Sequence, residues 1–209
     1  MRKLILLFIG LIICFNLNAK KIEGKIIFKN DTLDVTLKIP FKFITQEPNY
    51  QKLQAKVKYY DSDGNKVVLK PDDAKEIQFN YGNGNVRMLS RNNSLYLGNI
   101  FFPSTNIFLK IEIDGKLKLF NYYYTQSSGG MYNGATGTMT GGYSYSVESY
   151  ILQKGESELK RTKGLMFRKD MVEYFEDCPE LAKKIQEKEF RKDDMQAIVK
   201  FYNNKCEKQ

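Results

Sequence analysis

From residue 20 to about residue 166 apolar side chains recur at every second position, and after Phe167 they recur every third or fourth. A period of two belongs to a half-buried strand and a period near 3.6 to an amphipathic helix. Ile107, Leu109, Ile111 and Ile113 alternate with Phe108, Lys110, Glu112 and Asp114, so one face of this segment turns inward. Further strands are expected at 22–29, 33–39, 76–81, 86–91, 146–154 and 159–165, with a hairpin joining 53–60 to 66–70 through Asp61, Asp63 and Gly64. For the hairpin around Asp114-Gly115, a three-residue loop with a left-handed glycine pairs Ile111 with Leu117 and Leu109 with Leu119. Short strands joined by such turns imply an antiparallel β-sandwich or barrel-like body. The fold class expected is mainly β (α+β), with two or three C-terminal α-helices after the body.

The tail carries its own stripes: Met171, Val172 and Phe175, then Leu181, Ala182 and Ile185, then Met195, Ile198, Val199 and Tyr202. Pro179 follows Cys178 at a helix start, and Asp193-Asp194 opens the next helix. The short connector between them makes the two helices antiparallel and returns Cys206 beside Cys178. A disulfide between Cys178 and Cys206 is expected. By the loop-entropy estimate such a closure stabilises by about 3–4 kcal/mol. Neither cysteine has the Cys-x-x-Cys spacing of a redox pair.

An exported protein fits that bridge. Arg2 and Lys3 precede an apolar run at 4–15, and Asn16, Leu17, Asn18 and Ala19 form a polar exit. The run is shorter than the roughly 20 apolar residues that span a bilayer, and reads as a signal peptide, residues 1–19, cleaved after Ala19. Lipid anchoring at Cys14 is disfavoured, because Ile13 stands where an acceptor box wants a small residue. The segments expected are thus the leader, a β domain at 20–166 and a helical segment at 167–209, with a periplasmic or secreted location.

The chain of 209 residues contains no histidine and no tryptophan. Histidine-based nucleophilic triads, general bases and metal sites are therefore excluded. Asp61-x-Asp63-x-Asn65 resembles half a calcium loop, but Lys66 and Asp72 occupy the sixth and twelfth positions, so a turn is expected. Gly82-Asn83-Gly84-Asn85 lacks the following helix that builds a phosphate cradle. Pro71-Asp72-Asp73 reads as a polar connector. No cofactor and no metal are expected, and an enzyme is the less favoured reading. The formal charge is +9, with signs mixed along the chain, which argues against nucleic acid as a partner. One local cluster, Lys160, Arg161, Lys163, Arg168 and Lys169, supports peripheral membrane association as an alternative. A Gly-rich loop at 126–146 holds six glycines. It reads as a flexible hairpin tip, and its Met131, Tyr132, Met139, Tyr143 and Tyr145 are the candidate contact residues for a protein or glycan partner in the envelope.

Short stretches also carry a resemblance. Gly24-Lys25-Ile26, Lys70-Pro71-Asp72-Asp73-Ala74-Lys75-Glu76-Ile77 and, most specifically, Tyr174-Phe175-Glu176-Asp177-Cys178-Pro179-Glu180-Leu181 with Ile198-Val199-Lys200-Phe201-Tyr202-Asn203 are similar to a loose class of exported β-rich proteins of Bacteroidetes-type bacteria. That class has no assigned activity, so the resemblance implies export and architecture and transfers no catalytic residue. The expected role is a non-enzymatic binding or structural module. A carboxylate-based hydrolase acting on envelope polysaccharide is the enzymatic alternative.

Overall fold

The structure is a computed structural model that describes residues 19–97, 105–130, 132–139, 141–162 and 166–206. Residues 1–18 of the leader, Cys14 among them, lie outside the described residues, as do Met131 and Lys163. Two compact units divide the chain, one formed by residues 19–91 with 105–108, the other by 92–97 and 109–206 among those described.

The first unit contains β1 (Ala19–Ile27), β2 (Thr32–Pro40), α1 (Tyr50–Ala55), β3 (Val57–Tyr60), β4 (Lys66–Leu69), β5 (Glu76–Tyr81) and nearly all of β6 (Gly84–Asn92). Their order across the sheet is β6-β5-β1-β2-β3-β4, antiparallel throughout. The register turns Ile26, Leu37, Ile77 and Met88 to one face, where Leu53 of α1 and Phe108 join them in a closed core. Gly24 lies on that face because any Cβ there would strike the Gln78 carbonyl and the Leu37 side chain. The opposite face carries the polar alternates, Lys21, Glu23, Lys25, Lys38, Lys58, Gln78 and Arg87.

One expectation fails here. Residues 53–55 are helix, where the expected hairpin placed the start of its first strand. The Asn49 side chain accepts the Lys52 N–H at 3.1 Å and caps α1, which then buries Leu53 and Gln54.

The second unit holds most of β7 (Asn106–Ile113), β8 (Leu117–Ser127), β11 (Ser144–Lys154) and β12 (Lys160–Arg161), in the order β12-β11-β8-β7. A separate ribbon of β9 (Tyr132–Asn133) and β10 (Thr138–Met139) lies inside the Gly-rich loop. The helices α2 (Phe167–Tyr174), α3 (Pro179–Gln186) and α4 (Met195–Phe201) follow. Leu117, Leu119 and Leu152 of the strands share a core with Met171, Phe175, Leu181, Ile185, Met195, Ile198 and Val199 of the tail. Ten antiparallel strands with C-terminal helices thus make the expected class of fold.

The β7–β8 register differs from the expected one. Ile111 faces Phe120 and Ile113 faces Leu119, with a bulge between them, and Gly115 is not left-handed. Leu117 is instead taken by the tail. The Asn203 side chain accepts its N–H at 2.9 Å and donates to its carbonyl at 3.0 Å. Both backbone groups of Leu117 thus bond the tail, and Leu117 has no partner on β7 in the register.

Candidate functional site

The polar face of the first unit concentrates positive charge at one end. Lys21 of β1 stands opposite Lys38 of β2, and Lys38 stands opposite Lys58 of β3. Like charges directly opposed across strands are destabilising. Lys21 is relieved by Tyr60, whose ring centre lies 4.5 Å from its ammonium. Among the described residues Lys38, Lys52, Lys56 and Lys58 have no carboxylate partner. The Lys58 pKa is lowered by the charge of Lys66 above all, then by burial and by the charges of Lys56 and Lys38. The four unpaired lysines line a cavity of about 450 Å³, with Pro40 and Ala55 in its apolar wall beside Ala19, the last residue of the expected leader. Convergent charge on an apolar wall is the construction of a small anion site.

Several other polar residues of the unit are paired, whereas Lys66 and Lys70, like the cavity lysines, have no carboxylate partner among the described residues. A smaller cavity of about 220 Å³ on the same unit is lined by Lys25 and Asp34, which pair at 3.5 Å. Arg87 holds buried Glu76 through two bonds of 2.6 and 3.0 Å, while Gln78 donates to the same carboxylate at 2.7 Å. The Asp61 carboxylate accepts the N–H groups of Asp63 and Asn65 at 3.0 and 2.7 Å, so the calcium-like triplet is a turn, as expected. Asp73 likewise accepts the Lys70 N–H at 2.8 Å and closes a turn. Among the described residues no three acidic or cysteine side chains gather as a metal site would require.

In the second unit Cys178 and Cys206 form the expected disulfide, their Cα atoms 5.6 Å apart. Beside it Lys154 donates to the Tyr174 carbonyl at 2.5 Å and to Asp177 at 2.6 Å, and Tyr202 donates to Asp177 at 2.5 Å. The Lys154 ammonium lies 4.6 Å from the Tyr174 ring centre and 5.3 Å from that of Tyr202. Burial drives the Tyr202 hydroxyl upward, and its bond to Asp177 adds to the rise. For Asp177 burial pushes upward, but the bonds from Lys154 and Tyr202 outweigh it and hold the carboxyl below its usual range. Every charge in this cluster is answered, and it serves as a clasp from β11 to the tail.

Of the predicted contact loop, Met139, Tyr143 and Tyr145 are exposed, and the two tyrosine rings stack at 6.0 Å. Tyr132 is placed on β9. Arg161 of the basic cluster donates to the Leu95 carbonyl at 2.8 Å, while Arg168 and Lys169 are exposed on α2. The cavity lysines were not singled out in the sequence, since they are spread over 38–58 among other charges. The available signal was Lys56-x-Lys58 in phase with Lys38, which needs the strand register to be read. The fold and site define a class, an antiparallel β protein with a disulfide-closed helical tail and a cationic cavity. No family model, curated protein or solved structure matches the chain.

Proposed function

We propose that the protein is an exported, non-catalytic binding module of the cell envelope, and that its lysine-lined cavity holds an anionic group of an envelope partner. The observation that carries this reading is the unpaired set Lys38, Lys52, Lys56 and Lys58 around one cavity. An isolated row of like charges is a standing cost to the fold, and an anion relieves it. The carboxylates Glu76, Asp61 and Asp177 are each committed to internal bonds, which favours binding over hydrolysis. Export rests on the leader and on the disulfide, which persists in oxidising compartments; the exported protein is expected to begin at Lys20, read by mass spectrometry.

Titration calorimetry with inorganic tripolyphosphate tests the cavity. Binding is expected at low salt and is lost as screening shortens from about 30 Å at 0.01 M to about 3 Å at 1 M. The Lys38→Gln/Lys58→Gln double variant should weaken it tenfold or more, and Arg168→Gln/Lys169→Gln should not. Equal weakening by both pairs, or no binding by the wild type, overturns the reading. Turnover of an envelope polysaccharide by the purified protein would establish the hydrolase instead.

A further inference from the structure

The loop at 41–48 joins β2 to α1 and starts at the wall of the lysine cavity. Pro40 lines that cavity, and the Asn49 N–H bonds the Pro40 carbonyl at 2.7 Å, closing the loop at its base. Above the base Phe41 bridges to Pro48, and the Lys42 N–H bonds the Glu47 carbonyl at 2.8 Å. The Gln46 side chain donates to the Phe43 carbonyl at 2.7 Å, and the Tyr81 hydroxyl donates to the Gln46 carbonyl at 3.1 Å. Gln46 itself takes a positive φ of 54°, a conformation uncommon outside glycine. The loop is thus held in a defined shape.

That shape keeps two adjacent apolar side chains in water. Phe43 is 76% exposed and Ile44 is 90% exposed, the highest value among the large apolar residues described. Single exposed apolar residues are ordinary. Two neighbours on a hydrogen-bonded tip beside a cationic cavity are a different case. Four residues of chain span at most about 14 Å, so the Ile44 Cα lies within that reach of Pro40 in the cavity wall. Lys20, whose ammonium stands 4.5 Å from the Phe41 ring centre, carries positive charge towards the loop, while Lys42 at the loop base is paired with Glu47 at 3.6 Å.

We infer that this end of the first unit docks on an anionic phospholipid bilayer, with the cavity lysines taking head-group phosphates and Phe43 and Ile44 entering the interfacial layer. A soluble anion satisfies the lysines and offers nothing to the apolar tip. The head-group region of a bilayer offers both, charge at its surface and acyl chains a few ångströms below. The inference rests on the anion-binding reading above and names the source of the anion.

Co-sedimentation of the full chain with vesicles tests it, using phosphatidylglycerol in phosphatidylcholine and pure phosphatidylcholine as the blank. The protein should bind only the anionic vesicles and leave them at about 1 M salt. Phe43→Ser/Ile44→Ser should lower vesicle partitioning tenfold or more, since burying even part of two such side chains supplies that factor. The same variant should bind tripolyphosphate as the wild type does and melt at the same temperature, because both residues lie outside the core. Lys38→Gln/Lys58→Gln should lose both ligands, and Arg168→Gln/Lys169→Gln neither. Tripolyphosphate binding without vesicle binding overturns the bilayer inference and leaves the anion site standing. Vesicle binding indifferent to the tip variant reduces it to adsorption by net charge and also overturns it. Failure with both probes overturns the two proposals together.

Discussion

Lys58 faces Lys38 across one strand pair, and the neighbouring positive charges lower its pKa, that of Lys66 most. A base whose pKa falls on folding is less at ease charged in the folded state than in the unfolded one. The resulting penalty is present at neutral pH, and is removed as pH rises through the folded value towards the ordinary lysine value near 10.4. Lys58→Gln should therefore raise the melting temperature at pH 7 while weakening tripolyphosphate binding. A lysine kept for stability predicts the opposite sign, and calorimetric melting with and without the probe separates the two. Asp177 runs the other way. Its carboxyl is held below the usual range by Lys154 and Tyr202 against the effect of burial, so its contribution is complete above about pH 4. It is lost as pH falls through the lower folded value. Asp177→Asn should destabilise by about 1 kcal/mol at neutral pH, the figure discounted because the side chain is half in water. Melting curves of wild type and variant should draw together in acid; a gap that stays constant down to pH 2 would refute the assignment.

At the scale of elements, Asn203 is the point where the tail takes hold of the sheet. It answers both backbone groups of Leu117, and its amide packs against Gly115 so closely that a side chain there would collide with it. Asn203→Ala should cost about 1–3 kcal/mol, the penalty for leaving buried backbone groups unanswered, and should speed hydrogen exchange at the Leu117 amide. Unchanged exchange at that amide would refute the role. The same contact explains what the sequence could disclose. Helix stripes, most strand bounds and the Cys178–Cys206 bridge depend on neighbours within a few turns or one short connector, and were legible. The β7–β8 register was not, because the partner of Leu117 lies 86 residues away. Residues 53–55 alternate as a strand would, and only the cap at Asn49 reveals the helix. The lysine cavity needs two strands in phase and a helix beside them before Lys38, Lys58 and Lys52 meet.

Across the whole molecule each of the two units has its own closed core, and among the described residues the disulfide belongs to the second. The bridge closes a segment of 28 residues, for which the chain-entropy estimate is about 3–4 kcal/mol. Its loss acts first on what it closes, namely α3, α4 and the strands β8 and β11 that share their core. The cavity lysines, the loop at 41–48 and the core beneath them all belong to the first unit. Reduction should thus accelerate hydrogen exchange at Leu119, Leu152 and Ile198 by orders of magnitude, since 1.4 kcal/mol is a factor of ten where exchange follows opening. Exchange at Ile26, Leu37 and Ile77 should change little, and the reduced protein should still bind tripolyphosphate. Exchange mapped by mass spectrometry on oxidised and reduced protein, with calorimetry on the same samples, reads both halves of this prediction. Loss of anion binding on reduction would mean that the first unit depends on the second for its fold, and the cavity would then answer to the redox state of the tail.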